Sequence, residues 1–231
     1  MGRRLHERYY DVSNTPLRGI AENPPKLIGY GGENFVFLHT PQDTAPFVLK
    51  IDKRSLRLVP EEINERARAI KSRHQQIREW YQDIPNFVVP THFFVARLPF
   101  RNAVAVGSIQ EYFPEARDLF TEFTESELVE IFIQDRKLQT NFSTFVDRFF
   151  TILANSGQSI DLVGHQNVCL IKGEEGRYEL RLLDTADIKE RDEEQEKFRF
   201  TIREARRNKL KRLIEKIAII PDSFEELPRG Q

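Results

Sequence analysis

One cysteine, Cys169, stands in 231 residues, so no internal disulfide framework can form and a reducing compartment is expected. The five histidines, His6, His39, His74, His92 and His165, are scattered and give no zinc-binding spacing with it. Long apolar runs are also missing. None approaches a membrane span, and the opening segment Met1–Tyr10 lacks the apolar stretch of a secretory signal, so a cytoplasmic protein with no membrane partner is expected. Neither sign of charge is in excess: 35 basic and 36 acidic side chains leave a net charge of −1, which argues against a whole-surface field for nucleic acid or acidic lipid. The chain contains no internal repeat. A hydrophobic content of 39% is enough for one substantial core or two small ones.

The first half reads as β-structure with one helix. Residues 1–26 are polar, close on Asn23-Pro24-Pro25 and show no period, so they are expected as an arm on the surface. Between Lys26 and Ile51, runs rich in Val, Phe, Leu and Ile flank the turn-forming stretch Thr40–Pro46, the pattern of adjacent antiparallel strands. Pro60 opens a charged helix reaching about Gln82, with proline near its start as helices favour. Phe87–Val89, Phe93–Leu98 and Ala103–Tyr112 read as further strands, the last two joined by a turn at Pro99–Asn102. The expectation is a five-stranded antiparallel sheet with one inserted helix.

The second half changes period. Thr124–Leu138 and Phe142–Ala154 place apolar residues at helical spacing, as in Leu128, Ile131 and Phe132, then Phe145, Phe149 and Ile152. After Asn155-Ser156-Gly157 comes a loop, Ile160–Asn167, then a hairpin of Val168–Ile171 and Tyr178–Leu183 that ends on Asp184. Ile202, Leu210, Leu213, Ile214 and Ile217 predict a final helix docking on one edge. The fold class is therefore α+β, with a mainly helical second half.

Several residues in this frame could carry chemistry. Gly29, Gly31 and Gly32 allow backbone amides to approach phosphate oxygens without intervening side chains. A strand follows them rather than a helix, which argues against a dinucleotide-binding βαβ unit or a Walker loop. Lys50 sits in the apolar run Phe47–Ile51 and so needs solvent or an anionic partner, with Glu65 on the following helix the first choice. Ser156, Ser159 and His165 lie near one another in sequence, but no nucleophile elbow surrounds either serine. The segment Arg199–Lys216 holds eight Arg or Lys against two Glu, a basic face for RNA or an acidic partner, or a solvated face balanced by the acidic run before it.

The glycine cluster, Lys50 in Val-Leu-Lys-Ile, an acidic helix, Asp161 and Asn167 in a loop, and Asp184 after a hairpin occur in an order that resembles the protein-kinase-like superfamily. The likeness covers about residues 26–188 and looks nearest to the RIO kinases and the aminoglycoside or small-molecule phosphotransferases. It implies an amino-terminal lobe over 27–112, a reduced helical lobe over 113–231, and ATP between them. It also implies that Lys50 holds the α and β phosphates, that Asn167 and Asp184 hold magnesium, and that Asp161 orients an accepting hydroxyl of a protein or small molecule. Gln110-Glu111-Tyr112-Phe113 resembles the hinge of that family, which makes Glu111 and Tyr112 nucleotide contacts. Two departures stand beside the likeness. Asp161 lies one residue further from Asn167 than the family pattern has it, and Asp184 is followed by Thr185-Ala186 in place of Phe-Gly. They favour an alternative, a pseudokinase that binds nucleotide or a partner without turnover.

Overall fold

The computed structural model describes residues 25–30, 33–41, 45–98, 103–173, 176–185, 188–190 and 197–218. Gly31, Gly32, the turn read at Pro99–Asn102 and the arm as far as Pro24 lie outside the described residues. The protein is α+β, with four α-helices and one five-stranded antiparallel sheet among the described residues. No helix described is long and apolar enough to cross a membrane. The chain divides into two compact units: one runs to Gln75 and includes Val89–Pro114, and the other comprises Gln76–Val88 and residues from Glu115 onward.

In the first unit, β1 (Lys26–Tyr30), β2 (Asn34–His39), β3 (Phe47–Asp52), β4 (Thr91–Leu98) and β5 (Ala103–Glu111) form the sheet in the order β1-β2-β3-β5-β4. Alternation assigns its two faces, because successive strand side chains point to opposite sides. Phe47, Leu49 and Ile51 join Ala105 and Ile109 on one face, with Phe35, Phe37 and Phe94 packed against them. Gly107 makes room for Phe94, since a Cβ there would lie 2.3 Å from the ring. The helix α1 (Pro60–Trp80) covers the other face, where Ile63 and Ile70 bury against Val95 and Val106. Burying each such side chain contributes about 2–3 kcal/mol.

A polar knot fixes the start of α1. Asp52, buried at the end of β3, accepts from both arms of the Arg66 guanidinium, at 2.8 Å from Nη2 and 3.3 Å from Nε, and from the Ser55 amide at 2.7 Å. The Ser55 hydroxyl donates to the Asp52 carbonyl at 2.6 Å and accepts from the Val106 amide at 2.9 Å. The ion pair thus joins sheet to helix while its buried charge is fully partnered, as burial demands.

In the second unit, β8 (Val168–Lys172) and β9 (Tyr178–Leu182) make a hairpin, extended by β6 (Arg117–Asp118) beside β8. β7 (Gln158–Ile160) pairs separately with β10 (Ile188–Glu190). Three helices, α2 (Glu125–Gln134), α3 (Arg136–Ser156) and α4 (Lys197–Ala218), pack on one another. Their core is dense in aromatic rings: Phe145 lies 5.2 Å from Phe87 and 5.8 Å from Tyr81, and Phe132 stacks on Phe142 at 4.3 Å, centroid to centroid. Leu210, Leu213 and Ile217 of α4 are buried in it, as the spacing predicts.

Two readings of the sequence are corrected. The apolar run through Gln134 and Leu138 is not one helix, because Asp135 ends α2 and caps α3 by accepting from the Leu138 amide at 3.0 Å. Phe87–Val89 is not a strand of the sheet. Val88 makes only an isolated parallel bridge to Leu182 in the second unit, between Asn86, held at φ 57°, and Pro90.

Candidate functional site

Two candidate residues of the first unit, Gly29 and Lys50, stand in one lane across the sheet. Register pairs Gly29 with Val36, Val36 with Lys50, Lys50 with Ser108, and Ser108 with Phe93, so these residues share the face that carries α1. A β-bulge between Leu27 and Gly29 sets that register. Gly29 lies close to its neighbour: a Cβ there would come within 3.3 Å of the Val36 Cβ. Lys50 is half-buried, and the next lane on the same face pairs Val48 with Gln110. Glu65 is exposed on α1, one position before the Arg66 that reaches Asp52. Glu111, exposed, closes β5, and the following Tyr112 is half-buried with its amide donating to the Pro46 carbonyl at 3.4 Å.

In the second unit, Asp161, Asn167 and Asp184 come to one end of the β8–β9 hairpin. The Asn167 side chain, buried, donates from Nδ2 to the Asp161 carbonyl at 2.8 Å, which leaves its oxygen as the acceptor of that amide. The Leu183 amide donates to the Asn167 carbonyl at 2.8 Å, continuing the hairpin register and bringing Asp184 beside the loop. Asp161 is half-buried, and its carboxylate accepts from the Val163 amide at 2.8 Å, a local turn of the kind short acidic side chains make. Gly164 is required here, because a Cβ would fall 2.3 Å from Asn167 Nδ2. His165 is exposed.

The loop is held from outside by residues that the sequence reading passed over. Asp118, fully buried, accepts from the Phe120 and Thr121 amides at 2.9 Å each, from the Thr121 hydroxyl at 3.0 Å and from the Gln166 amide at 2.7 Å. Gln166 sits at φ 58°, a strained region for a residue with a Cβ, and its side chain donates to the Ala116 carbonyl at 3.3 Å. From α4, Arg206 donates to the carbonyls of Leu162 and Gly164, and Lys209 donates to those of Leu119, Phe120 and Phe123. Burial pulls both cations below their ordinary pKa; nearby Asp118 and Asp161 for Arg206, and Glu125 and Asp118 for Lys209, oppose the shift. The turn from Asp118 to Thr121 was open to sequence reasoning as a short-range motif, whereas its tie to Gln166 was not.

Basic residues of α4 thus serve the protein's own structure. Besides Arg206 and Lys209, Arg212 and Lys216 pair with Glu125, and Arg207 pairs with Glu204. The Ser156 hydroxyl donates to the Ile152 carbonyl at 2.8 Å and Ser159 is buried in β7, positions that suit structural polarity rather than a nucleophile. A groove of about 420 Å³ opens at the opposite end of the hairpin, against Leu138, Arg177 and Tyr178, and includes none of the candidate residues.

Asn167 and Asp184, the magnesium ligands that the resemblance implies, each offer a side-chain oxygen. Among the described residues no group of three or more His, Cys, Asp or Glu could hold a metal ion. Two oxygen donors fit an ion that takes the rest of its shell from phosphate and water, as magnesium does with nucleotides. No protein-family model and no curated protein matches the sequence.

Proposed function

We propose that the protein is a kinase-like phosphotransferase that binds ATP with magnesium and passes the terminal phosphate to the hydroxyl of a protein or small molecule. The observation that carries the reading is the tie between Asn167 and the Asp161 carbonyl, with Leu183, the residue before Asp184, bonded to the Asn167 carbonyl at the hairpin end. On this reading Asn167 and Asp184 are the hard oxygen ligands and Asp161 is the carboxylate that orients a nucleophile. The lane through Gly29 and Lys50 supports the other part of the reading, a cation and a small residue on one sheet face. In the reaction, the accepting oxygen bonds to the γ-phosphorus, the bond to the β,γ-bridging oxygen breaks, and ADP leaves with its electrons. Asp161 takes the acceptor's proton. On this reading Lys50 would neutralise the α and β phosphates, Asn167 and Asp184 would hold the magnesium supplied with the nucleotide, and the backbone near Glu111 and Tyr112 would meet the adenine. Most of the acceleration on this reading is positioning and charge neutralisation.

A second reading, a kinase-like module that binds nucleotide or a partner without turnover, is favoured by one observation. The Asp161 carboxylate is engaged by the Val163 amide within its own turn. Phosphate transfer from ATP to a panel of proteins, sugars and aminoglycosides, read beside thermal stability with Mg·ATP, separates the readings. Transfer that Asp161→Asn abolishes supports the first. A ligand-induced rise in melting temperature without transfer supports the second, and no rise excludes both, since selective binding must stabilise the folded chain.

A further inference from the structure

Between β7 and β8 the backbone follows no helix or strand, yet the candidate chemistry sits there and needs fixed geometry. Two groups remote in sequence supply it. Asp118 takes the Gln166 amide on one side, and the Arg206 guanidinium takes the carbonyls of Leu162 and Gly164 on the other. Those carbonyls bracket the stretch just after Asp161. Arg206 is itself held, since its guanidinium lies 5.0 Å over the Phe120 ring and the neighbouring Leu210 of α4 is buried in the core. Lys209, one turn along, binds three further carbonyls of the segment that carries Phe120.

We propose that Arg206 is a positioning residue for phosphoryl transfer: from the carboxy-terminal helix it pins the carbonyls of Leu162 and Gly164, and so sets where Asp161 and Asn167 stand. This inference rests on the phosphotransferase reading for its reaction, but the clamp is measurable without it. Both hydrogen bonds leave one nitrogen, Nη1, while the planar guanidinium lies over the Phe120 ring, a stacking that an ammonium does not offer. The carboxy-terminal helix is then part of the site.

The test uses the full chain, with Arg206→Gln and Arg206→Lys against Lys211→Gln, an exposed change on the same helix. Amide hydrogen exchange of the loop 161–167 should quicken by about tenfold or more in Arg206→Gln, less in Arg206→Lys and not in Lys211→Gln, while the α2 and α3 core keeps its protection. ATP turnover in Arg206→Gln should fall about a hundredfold in kcat with KM for Mg·ATP changed less than about threefold, and Arg206→Lys should recover part of it. Unchanged loop exchange, or exchange quickened equally throughout the unit, overturns the positioning role even if ATP turnover is normal. Quickened loop exchange in a chain whose wild type does not turn over ATP upholds the clamp and overturns the phosphotransferase reading. Should Arg206→Gln fail to fold, Arg206→Lys decides by the same criteria.

Discussion

Two buried carboxylates, one in each unit, are held by opposite means. Asp52 in the sheet unit meets a full positive charge, the guanidinium of Arg66, and the result is a helix fixed to a sheet. Asp118 in the helical unit meets four uncharged donors, three backbone amides and a hydroxyl, and the result is an irregular loop fixed in place. The contrast follows from what each must hold. Regular elements bring their own hydrogen bonds, so one ion pair is enough to dock them, whereas a loop leaves its amides without partners and needs an acceptor for each.

Breaking the charged pair gives the largest effect. Arg66→Leu strands the Asp52 carboxylate in a buried site and should cost about 3–5 kcal/mol, measured by urea unfolding. The double variant Asp52→Leu with Arg66→Leu should recover much of that loss, because no buried charge then remains. Removing the uncharged cage comes next. Asp118→Ala should cost about 2–3 kcal/mol, with the loss of exchange protection concentrated in 118–121 and 161–167 rather than spread through the unit.

How far these arrangements were legible depends on the distance between the partners. The apolar runs Phe35–Leu38 and Phe47–Ile51 beside a turn-forming stretch marked two strands, and Leu210, Leu213 and Ile217 marked the docking face of α4, because both signals are local. Phe87–Val89 misled because three apolar residues fit a strand, while the turn at Asn86 and the proline at 90 allow only a bridge. Asp135 was hidden in a run of helix-compatible residues, where its cap to Leu138 leaves no periodic trace. Asp161, Asn167 and Asp184 were singled out by their order along the chain, but Asp118 and Arg206 were missed, because no local pattern connects either with the loop it holds.

Smaller changes sharpen the contrast further. Gly164→Ala places a methyl where the Asn167 amide lies, so that side chain must move; stability should fall by only about 1–2 kcal/mol, while any magnesium-dependent transfer falls much further. The mildest case is an exposed ion pair. Hydrogen bonds from Arg212 and then Lys216 hold the Glu125 carboxyl at about 2, below its ordinary 4.5. A depressed folded-state pKa contributes stability above the unfolded value and loses it as pH falls through the folded one. The gap between wild type and Glu125→Gln should therefore be present above about pH 5 and vanish towards pH 2, with a size of only about a few tenths of a kcal/mol because solvent screens the pair. Urea midpoints across that range measure it.

The proposed function requires that the protein bind ATP together with magnesium, and calorimetric titration with ATP tests it most directly. Binding should be saturable at one site, depend on magnesium, be lost in Lys50→Met and Asp184→Asn, and persist in Lys211→Gln. Wild-type protein that takes up no heat with Mg·ATP, or that binds it equally well in both site variants, would contradict the account.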